Sequence, residues 1–274
     1  VAVTFFFVLS GFLITWLLLK EKLADPADRI SLSRFYKRRI FRIWPLYYLL
    51  VILTFFVLRH QPFFQELPAQ SAAGSHLAEK RLPGYIFFLP NYTEYRFGAQ
   101  PFLGQTWSLA VEEFFYLFFP LGLFFIRMKY IVKYLLILAI LFMGLSLAMR
   151  IPEITAAMPG RLRSILYVFF DKYRVYSFAL GGLAAWLLLS GKNYYPKLAD
   201  LPGRKVLAML LLILLTGLTL TGLTFSIATQ QLYSVLFALF IFSATASGIH
   251  FFLLNNPVML YLGKISYGIY MLHP

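Results

Sequence analysis

Two adjacent glutamates, Glu112 and Glu113, interrupt an otherwise apolar segment of this chain. An ionised side chain costs about 2.5–3.5 kcal/mol at the centre of a bilayer even on lenient insertion scales, so such carboxylates are candidates for function. If a helix enters the membrane near Gly104, Glu112 lies roughly 12 Å along it, close to the middle of the apolar core. Ser108 shares a face with Glu112, while Glu113 is turned about 100° away. We predict a catalytic Glu112 supported by Ser108 and Glu113; the alternative is a buried carboxylate bonded to a neighbouring helix.

A histidine near the end of the chain, His273, is the second candidate for catalysis. It lies nine residues beyond Lys264, or roughly 13 Å of helix, so its imidazole and the Glu112 carboxylate can share one level. A histidine beside a carboxylate is a usable general base near neutral pH. A satisfied core histidine is the equally weighted alternative. The other histidines fall in or near loops and are expected to have no role: His60, His76 and His250.

A basic stretch, RFYKRRIFRIWPLYY, carries the candidate ligands for phosphate. Helical spacing puts Arg38 and Arg42 on one face, with Arg39 beside them. Fixed guanidinium groups at the membrane surface suit the phosphates of a cytosolic ligand. The alternative is that these arginines only set the membrane topology and contact anionic lipid headgroups. The sequence has no Walker loop, dinucleotide-binding glycine pattern, HExxH motif or nucleophile elbow. We therefore expect neither a metal nor a catalytic mechanism of the soluble type.

The composition indicates that membrane helices position these side chains. Hydrophobic residues make up 60% of the chain and charged residues only 13%, about half the share in soluble domains. The absence of cysteine excludes a disulfide scaffold. The net charge of +14 lies between apolar runs rather than along one face, so we expect no nucleic-acid binding. The chain is predicted to be an all-α polytopic membrane protein that forms one integral-membrane domain over 1–274.

The basic residues divide the apolar runs into a bundle of about eight to nine transmembrane segments. Positive charge marks the cytoplasmic side, so the loop 20–39 is predicted to lie inside, with Lys22 solvated, and 59–83 outside. The piece LPGYIFFLPNY, broken by Pro83 and Pro90, is too short to span and is interpreted as re-entrant or interfacial. Because both ends stop within apolar runs, we expect the bundle to be truncated at both. The predicted spans are 1–19, 40–58, 104–126, 134–149, 175–190, 206–225, 232–254 and 265–274.

Three segments in this order resemble the acyltransferase 3 family of membrane O-acyltransferases. They are FFFVLSGFLI followed by FYKRRIFRIWPLYY, then TWSLAVEEFFYLFFP, then LGKISYGIYMLHP. The resemblance implies a multi-pass protein of the bacterial cytoplasmic membrane, surrounded by lipid. It also implies transfer of an acyl group, usually acetyl, from cytosolic acetyl-CoA to a hydroxyl of a glycan or lipid-linked sugar. Acetyl-CoA is then a co-substrate, and no cofactor stays bound.

The resemblance also implies roles for individual residues. Arg39 and Arg42 match an Arg-x-x-Arg pair that handles acyl-CoA, and Glu112 matches the acidic residue of TWSLxxE. His273 matches the histidine after SYGIY. The family's first helix, which carries an Arg and a His, would precede Val1, so the chain as given is expected to be inactive without it.

The mechanism that we expect begins with the CoA phosphates at the three arginines, which lets the thioester reach the middle of the membrane. There an imidazole oriented by Glu112 deprotonates the acceptor hydroxyl or accepts the acyl group transiently. The rival is a proton-coupled transporter or channel with Glu112, Glu113 and His273 in its pathway. A noncatalytic membrane scaffold is the third possibility.

Overall fold

A computed structural model describes residues 1–24, 30–58, 61, 72–194, 203–222, 228–246 and 256–273 of the chain. These residues form helices joined by short turns, with no strand in the described ranges. The helices are α1 Ala2–Ala24, α2 Leu32–Ile52, α3 Ala72–Ile86, α4 Pro90–Phe97, α5 Thr106–Phe125, α6 Met128–Ala148, α7 Pro152–Ala156, α8 Gly160–Tyr167, α9 Val175–Tyr194, α10 Arg204–Thr221, α11 Thr229–Ala246 and α12 Pro257–Leu272. Helix α2 continues through a π-helical turn, Leu53–Val57, and α8 through another, Val168–Lys172.

Five of the described helices are long and apolar enough to cross a membrane by length and composition: α1, α2 with its π turn, α5, α6 and α10. An apolar segment of α11 is shorter than these. In the part of the chain that the structure describes, each of the eight predicted apolar runs lies largely on a helix. The predicted all-α polytopic membrane fold is therefore confirmed.

Two helices begin earlier than their apolar runs. Helix α2 begins at Leu32, so four basic residues of the predicted loop 20–39 lie on the helix itself: Arg34, Lys37, Arg38 and Arg39. Helix α6 begins at Met128, which brings Lys129 and Lys133 into its first turns. Hydropathy places a boundary where apolar character begins, whereas the helical backbone continues through charged residues whose long side chains reach the interface.

The last helix is also longer than predicted. Asn256 caps its start, accepting a 2.9 Å hydrogen bond from the backbone nitrogen of Met259, and Pro257 occupies the first helical position. Both residues are typical of helix N-termini. Lys264 therefore lies inside α12, and the prediction that this helix begins at residue 265 is wrong.

The segment predicted to be re-entrant or interfacial forms parts of α3 and α4, neither of which is long enough to span. Pro83 lies within α3 and does not interrupt that helix, while Pro90 is the first residue of α4. The turn between them passes through Phe88, whose φ is 55°. A Cβ on Gly84 would collide with the side chain of Thr93, so a glycine is required where α3 and α4 meet.

The chain divides into two compact units. The first contains Val1–Leu32 and Phe118–His250, and the second contains Ser33–Leu117 and Phe251–Pro274. The single integral-membrane domain expected over 1–274 stays a prediction, since one domain can contain two such units.

The first unit is centred on a close contact between α1 and α9. A Cβ on Gly11 would collide with the backbone oxygen of Phe178, and one on Gly181 with that of Val8. Small residues of this kind let the backbones of membrane helices approach and pack. Against this pair pack α10 and α11, through buried side chains that include Leu215, Tyr233, Phe237, Ile241 and Phe242.

Lys22, predicted to be solvated, is buried at the end of α1. Its Nζ donates hydrogen bonds to the backbone oxygens of Leu123, at 2.9 Å, and Ile126. Carbonyls at a helix C-terminus lack helical partners and favour a cation, which explains how the lysine is accommodated. The contact puts the ends of α1 and α5 at the same level, as the predicted topology requires.

In the second unit, tyrosines of α2 fix the end of α3. The hydroxyl of Tyr47 donates a 2.7 Å hydrogen bond to the backbone oxygen of Tyr85, and that of Tyr48 donates to Ile86 at 3.0 Å. The ring of Phe88 stacks on Tyr47 with centroids 4.2 Å apart. These contacts hold the turn after α3 against the helix that carries the arginines.

Candidate active site

The candidate site lies in the second unit and is centred on the two glutamates of α5. Ser108 and Glu112 are both buried, 5% and 4% exposed, as expected of residues on one face at a spacing of four. Glu113 is turned to the side and faces α2. The structure thus places Ser108 and Glu112 on one buried face and turns Glu113 toward α2.

Glu113 is held by the indole of Trp44. Nε1 of Trp44 donates a 3.1 Å hydrogen bond to Oε2 of Glu113. Oε1 of the same carboxylate is buried and has no hydrogen-bond partner among the described residues. The guanidinium of Arg39 is within electrostatic range of this carboxylate. One oxygen of Glu113 is thus fixed, while the other can accept a further hydrogen bond.

The three candidate arginines of α2, Arg38, Arg39 and Arg42, do not share one environment. Arg38 and Arg42 are exposed. Arg39 is partly buried, and its guanidinium lies over the ring of Tyr116 on α5, 5.0 Å from the centroid, and over that of Phe35 at 5.5 Å. A guanidinium stacked on aromatic faces is held in position. Arg38 and Arg42 remain available to a ligand, whereas Arg39 links α2 to the glutamate helix.

Helix α12 contributes two tyrosines that the sequence analysis did not select. The hydroxyl of Tyr270 is hydrogen-bonded to Ser108 and donates a 3.0 Å bond to the backbone oxygen of Gln105. Tyr267 donates a 2.8 Å bond to the backbone oxygen of Ile43 in α2. It is within electrostatic range of both glutamates. Their spacing of three in SYGIY, which puts both on one helix face, is the signal that could have identified them.

The expectation that His273 and Glu112 share one level is wrong. Helix α12 begins eight residues before the predicted start and ends at Leu272. His273 lies just beyond its end and is exposed. Nε2 of Gln105 donates a 2.7 Å bond to the backbone oxygen of Met271. Gln105 precedes Glu112 by seven residues, about 10 Å along the helix, so Tyr267 rather than His273 reaches the level of the carboxylates. The catalytic role of His273 stays a prediction.

The other three histidines add no described side chain to the site. His60 and His250 lie outside the described residues, as does the side chain of His76. In the described part of the chain, no group of three or more His, Cys, Asp or Glu side chains could hold a metal ion.

The arrangement can orient carboxylates, but its chemistry is identified only with the help of related proteins. The family model for an acyltransferase domain matches residues 1–274, so the chain belongs to that family. The O-acetyltransferase OatA of Staphylococcus aureus strain NCTC 8325 is 29% identical over 289 residues, which cover 98% of this chain and 44% of the relative. A putative O-acetyltransferase of S. aureus strain COL is 30% identical over 285 residues, with the same coverage.

The chain thus spans less than half the length of these curated relatives. No solved structure matches it.

Proposed function

We propose that this member of the acyltransferase family is a membrane O-acyltransferase. It transfers an acyl group, most simply acetyl, from cytosolic acyl-CoA to a hydroxyl of a carbohydrate or other cell-envelope acceptor. The observation that carries the proposal is the buried Glu112 beside a Glu113 with one unbonded oxygen, in a chain that matches an acyltransferase family along its whole length. The O-acetyltransferase names of its relatives support acetyl as the acyl group.

The donor is bound at α2. The exposed Arg38 and Arg42 meet the phosphates of acyl-CoA through charge-assisted hydrogen bonds. The stacked Arg39 keeps positive charge close to the glutamates. The flexible arm of CoA then carries the thioester toward α5.

Acyl transfer requires a base for the acceptor and an exit for the thiolate. The acceptor hydroxyl loses its proton as its oxygen attacks the thioester carbonyl, the carbon–sulfur bond breaks, and the CoA thiolate leaves and takes up a proton. We assign Glu112 to accept the proton of the acceptor hydroxyl, or to orient the group that accepts it. Ser108 and Glu113 support Glu112 in this role. His273, at the end of α12, is the second candidate base.

Radiolabelled acetyl-CoA tests the proposal in membranes that contain the full-length protein, including any segment that precedes Val1 in it. Label should pass to added glycan or lipid-linked sugar acceptors, and Glu112→Gln should reduce the transfer by about 10²–10⁴, the usual contribution of positioned proton transfer. The matched control is Glu79→Gln, at an exposed glutamate of α3, which should leave the rate unchanged.

A result without acceptor labelling contradicts the proposal. If Glu112→Gln instead abolishes a proton flux into liposomes that needs no acetyl-CoA, the transporter is the correct function. If neither activity depends on the protein, it is a scaffold.

A further inference from the structure

An open groove lies on the surface of the first unit, where α5 ends and α6 begins. Its volume is about 520 Å³, within the range of about 300–1,000 Å³ that holds small ligands. We call it the α5–α6 groove. It lies between the predicted spans 104–126 and 134–149, where the Lys/Arg distribution predicts the cytoplasmic side of the membrane. Its lining residues include Phe125, Arg127, Tyr130, Lys133, Tyr134 and Ile137.

The lining of the groove changes from charged to apolar along α6. Lys133, Tyr134 and Ile137 follow Tyr130 by three, four and seven residues, a spacing that puts all four on one helix face. Arg127 lies just before this helix, whereas Ile137 lies about 10 Å further along it than Tyr130. A ligand that fits the groove therefore combines an anionic group at the membrane surface with an apolar part that continues into the membrane.

Three cations at the groove have no ion-pair partner among the described residues: Arg127, Lys129 and Lys133, all of them exposed. Nζ of Lys129 lies 4.8 Å from the centroid of the Tyr130 ring, and that of Lys133 lies 5.9 Å from it. Contact with one ring keeps the two ammonium groups together. The helix macrodipole disfavours positive charge in the first turns of a helix, so an anion bound here would offset an unfavourable arrangement.

Packing within the first unit fixes the wall of the groove. The ring of Tyr134 stacks on that of Phe119 on α5, with centroids 6.2 Å apart. A Cβ on Gly122 would collide with the Tyr134 hydroxyl, so this glycine lets the tyrosine lie against α5. Nζ of Lys22 donates to the backbone oxygen of Ile126, a lining residue at the end of α5. A preformed groove of this kind binds a ligand with little further ordering cost.

Neither membrane topology nor a soluble anion explains the whole groove. Basic residues orient membrane helices without any cavity beside them. A free phosphate would bind the cations but leave the apolar lining uncovered, including Phe125 and Ile137, which are 78% and 61% exposed. A phospholipid satisfies both parts, because its phosphate meets the cations while an acyl chain covers the apolar side chains.

We propose that the α5–α6 groove binds an anionic phospholipid of the cytoplasmic leaflet. The lipid phosphate binds Arg127 and Lys133, and the first part of an acyl chain lies along Tyr134 and Ile137. This inference goes beyond the proposed function and does not rest on acyl transfer.

Native mass spectrometry of the purified full-length protein tests the proposal without any need for turnover. The probes are dioleoyl phosphatidylglycerol, which is anionic, and dioleoyl phosphatidylcholine, which has the same chains but no net charge. A third probe, sn-glycerol 3-phosphate, offers the anion without the chains. We expect phosphatidylglycerol to bind at least tenfold more tightly than either of the other two.

Substitutions and photolabelling localise the binding. Arg127→Gln and Lys133→Gln should each reduce the preference for phosphatidylglycerol about fivefold, which corresponds to about 1 kcal/mol for a basic residue near an anionic surface. Lys205→Gln, at an exposed lysine of α10 outside the groove, should leave the preference unchanged. Phosphatidylglycerol with a photoreactive diazirine in its acyl chain should label residues 125–137 more strongly than phosphatidylcholine with the same group.

Three results would overturn the proposal: equal affinity for the two phospholipids, a preference that both groove substitutions leave unchanged, or preferential labelling outside residues 125–137. Displacement of the bound lipid by coenzyme A would assign the groove to the donor and would also overturn it. Acetyl transfer without any preference for the anionic lipid contradicts the groove proposal only, whereas lipid binding without transfer contradicts the acyltransferase proposal only.

Discussion

The indole nitrogen of Trp44 donates its hydrogen bond to the carboxylate of Glu113, and this bond joins α2 to α5 at the centre of the candidate site. The same pair of helices is connected by Tyr36, whose hydroxyl donates a 2.8 Å bond to the backbone oxygen of Leu117, and by the stacking of Arg39 on Tyr116. The helix that carries the donor arginines is therefore fixed to the helix that carries the carboxylates.

Trp44→Phe should lower acyl transfer while the protein stays folded. Phenylalanine keeps most of the aromatic packing but removes the donor, and a hydrogen bond to a charged group contributes about 1.5–3 kcal/mol. We expect a loss of about tenfold or more in kcat/KM. The control is Trp16→Phe on α1. An unchanged rate for Trp44→Phe at equal protein level would contradict a role for the fixed Glu113.

Arg38→Ala and Arg42→Ala should raise the KM for acetyl-CoA. Each removes a guanidinium proposed to interact with the donor, and a charge-assisted hydrogen bond of about 1.5–3 kcal/mol corresponds to about tenfold or more in affinity. Lys37→Ala is the matched control, since Lys37 is exposed on the same helix and carries the same charge. Equal KM values for acetyl-CoA in all three variants would show that the arginines do not bind the donor and only set the membrane topology.

The fold class and the glutamate pair could be predicted from the sequence because they depend on hydropathy and on a helical period. The 104–126 run and α5 agree within a few residues. The environment of Glu113 could not be predicted, because Trp44 lies 69 residues earlier and hydropathy does not specify which helices are neighbours.

Two errors have local physical causes. Hydropathy predicts too deep a position for His273, because it does not detect that α12 begins at the Asn256–Pro257 cap, eight residues before the predicted start. Charge alone predicts a solvated Lys22, because it does not show that a lysine can bind the carbonyls at the end of another helix. The polar partners of Asp171, Ser146 and Arg150, come from another segment of the chain, so no local pattern predicts these contacts.

Lys22→Met should destabilise the first unit. It removes the ammonium that binds the backbone oxygens of Leu123 and Ile126, at a cost of about 1.5–3 kcal/mol for hydrogen bonds from a charged donor. Thermal unfolding in detergent should show a lower midpoint. Lys20→Met, at an exposed position of the same helix, should change the stability by less than about 0.5 kcal/mol. Identical midpoints for the two variants would show that the buried contact adds nothing.

Gly11→Ala should disrupt the contact between α1 and α9. The new Cβ would meet the backbone oxygen of Phe178, which cannot rotate away, and overpacking of this kind costs about 1–3 kcal/mol or more. Gly144→Ala in α6 is the control, because no atom lies within 4 Å of its added Cβ. Size-exclusion profiles after heating should show early loss of the Gly11 variant alone. Equal survival of both variants would indicate that the two helices are not in backbone contact.

Acetyl transfer across sealed membrane vesicles tests the central claim most directly. Radiolabelled acetyl-CoA is added outside vesicles of each orientation, with a cell-envelope glycan acceptor enclosed in the lumen. The account predicts labelled lumenal acceptor only in inverted vesicles, where the cytoplasmic side and Arg42 face the donor, and loss of that label with Glu112→Gln at equal protein level. Labelling only in right-side-out vesicles, or equal labelling by the wild type and Glu112→Gln, would contradict it.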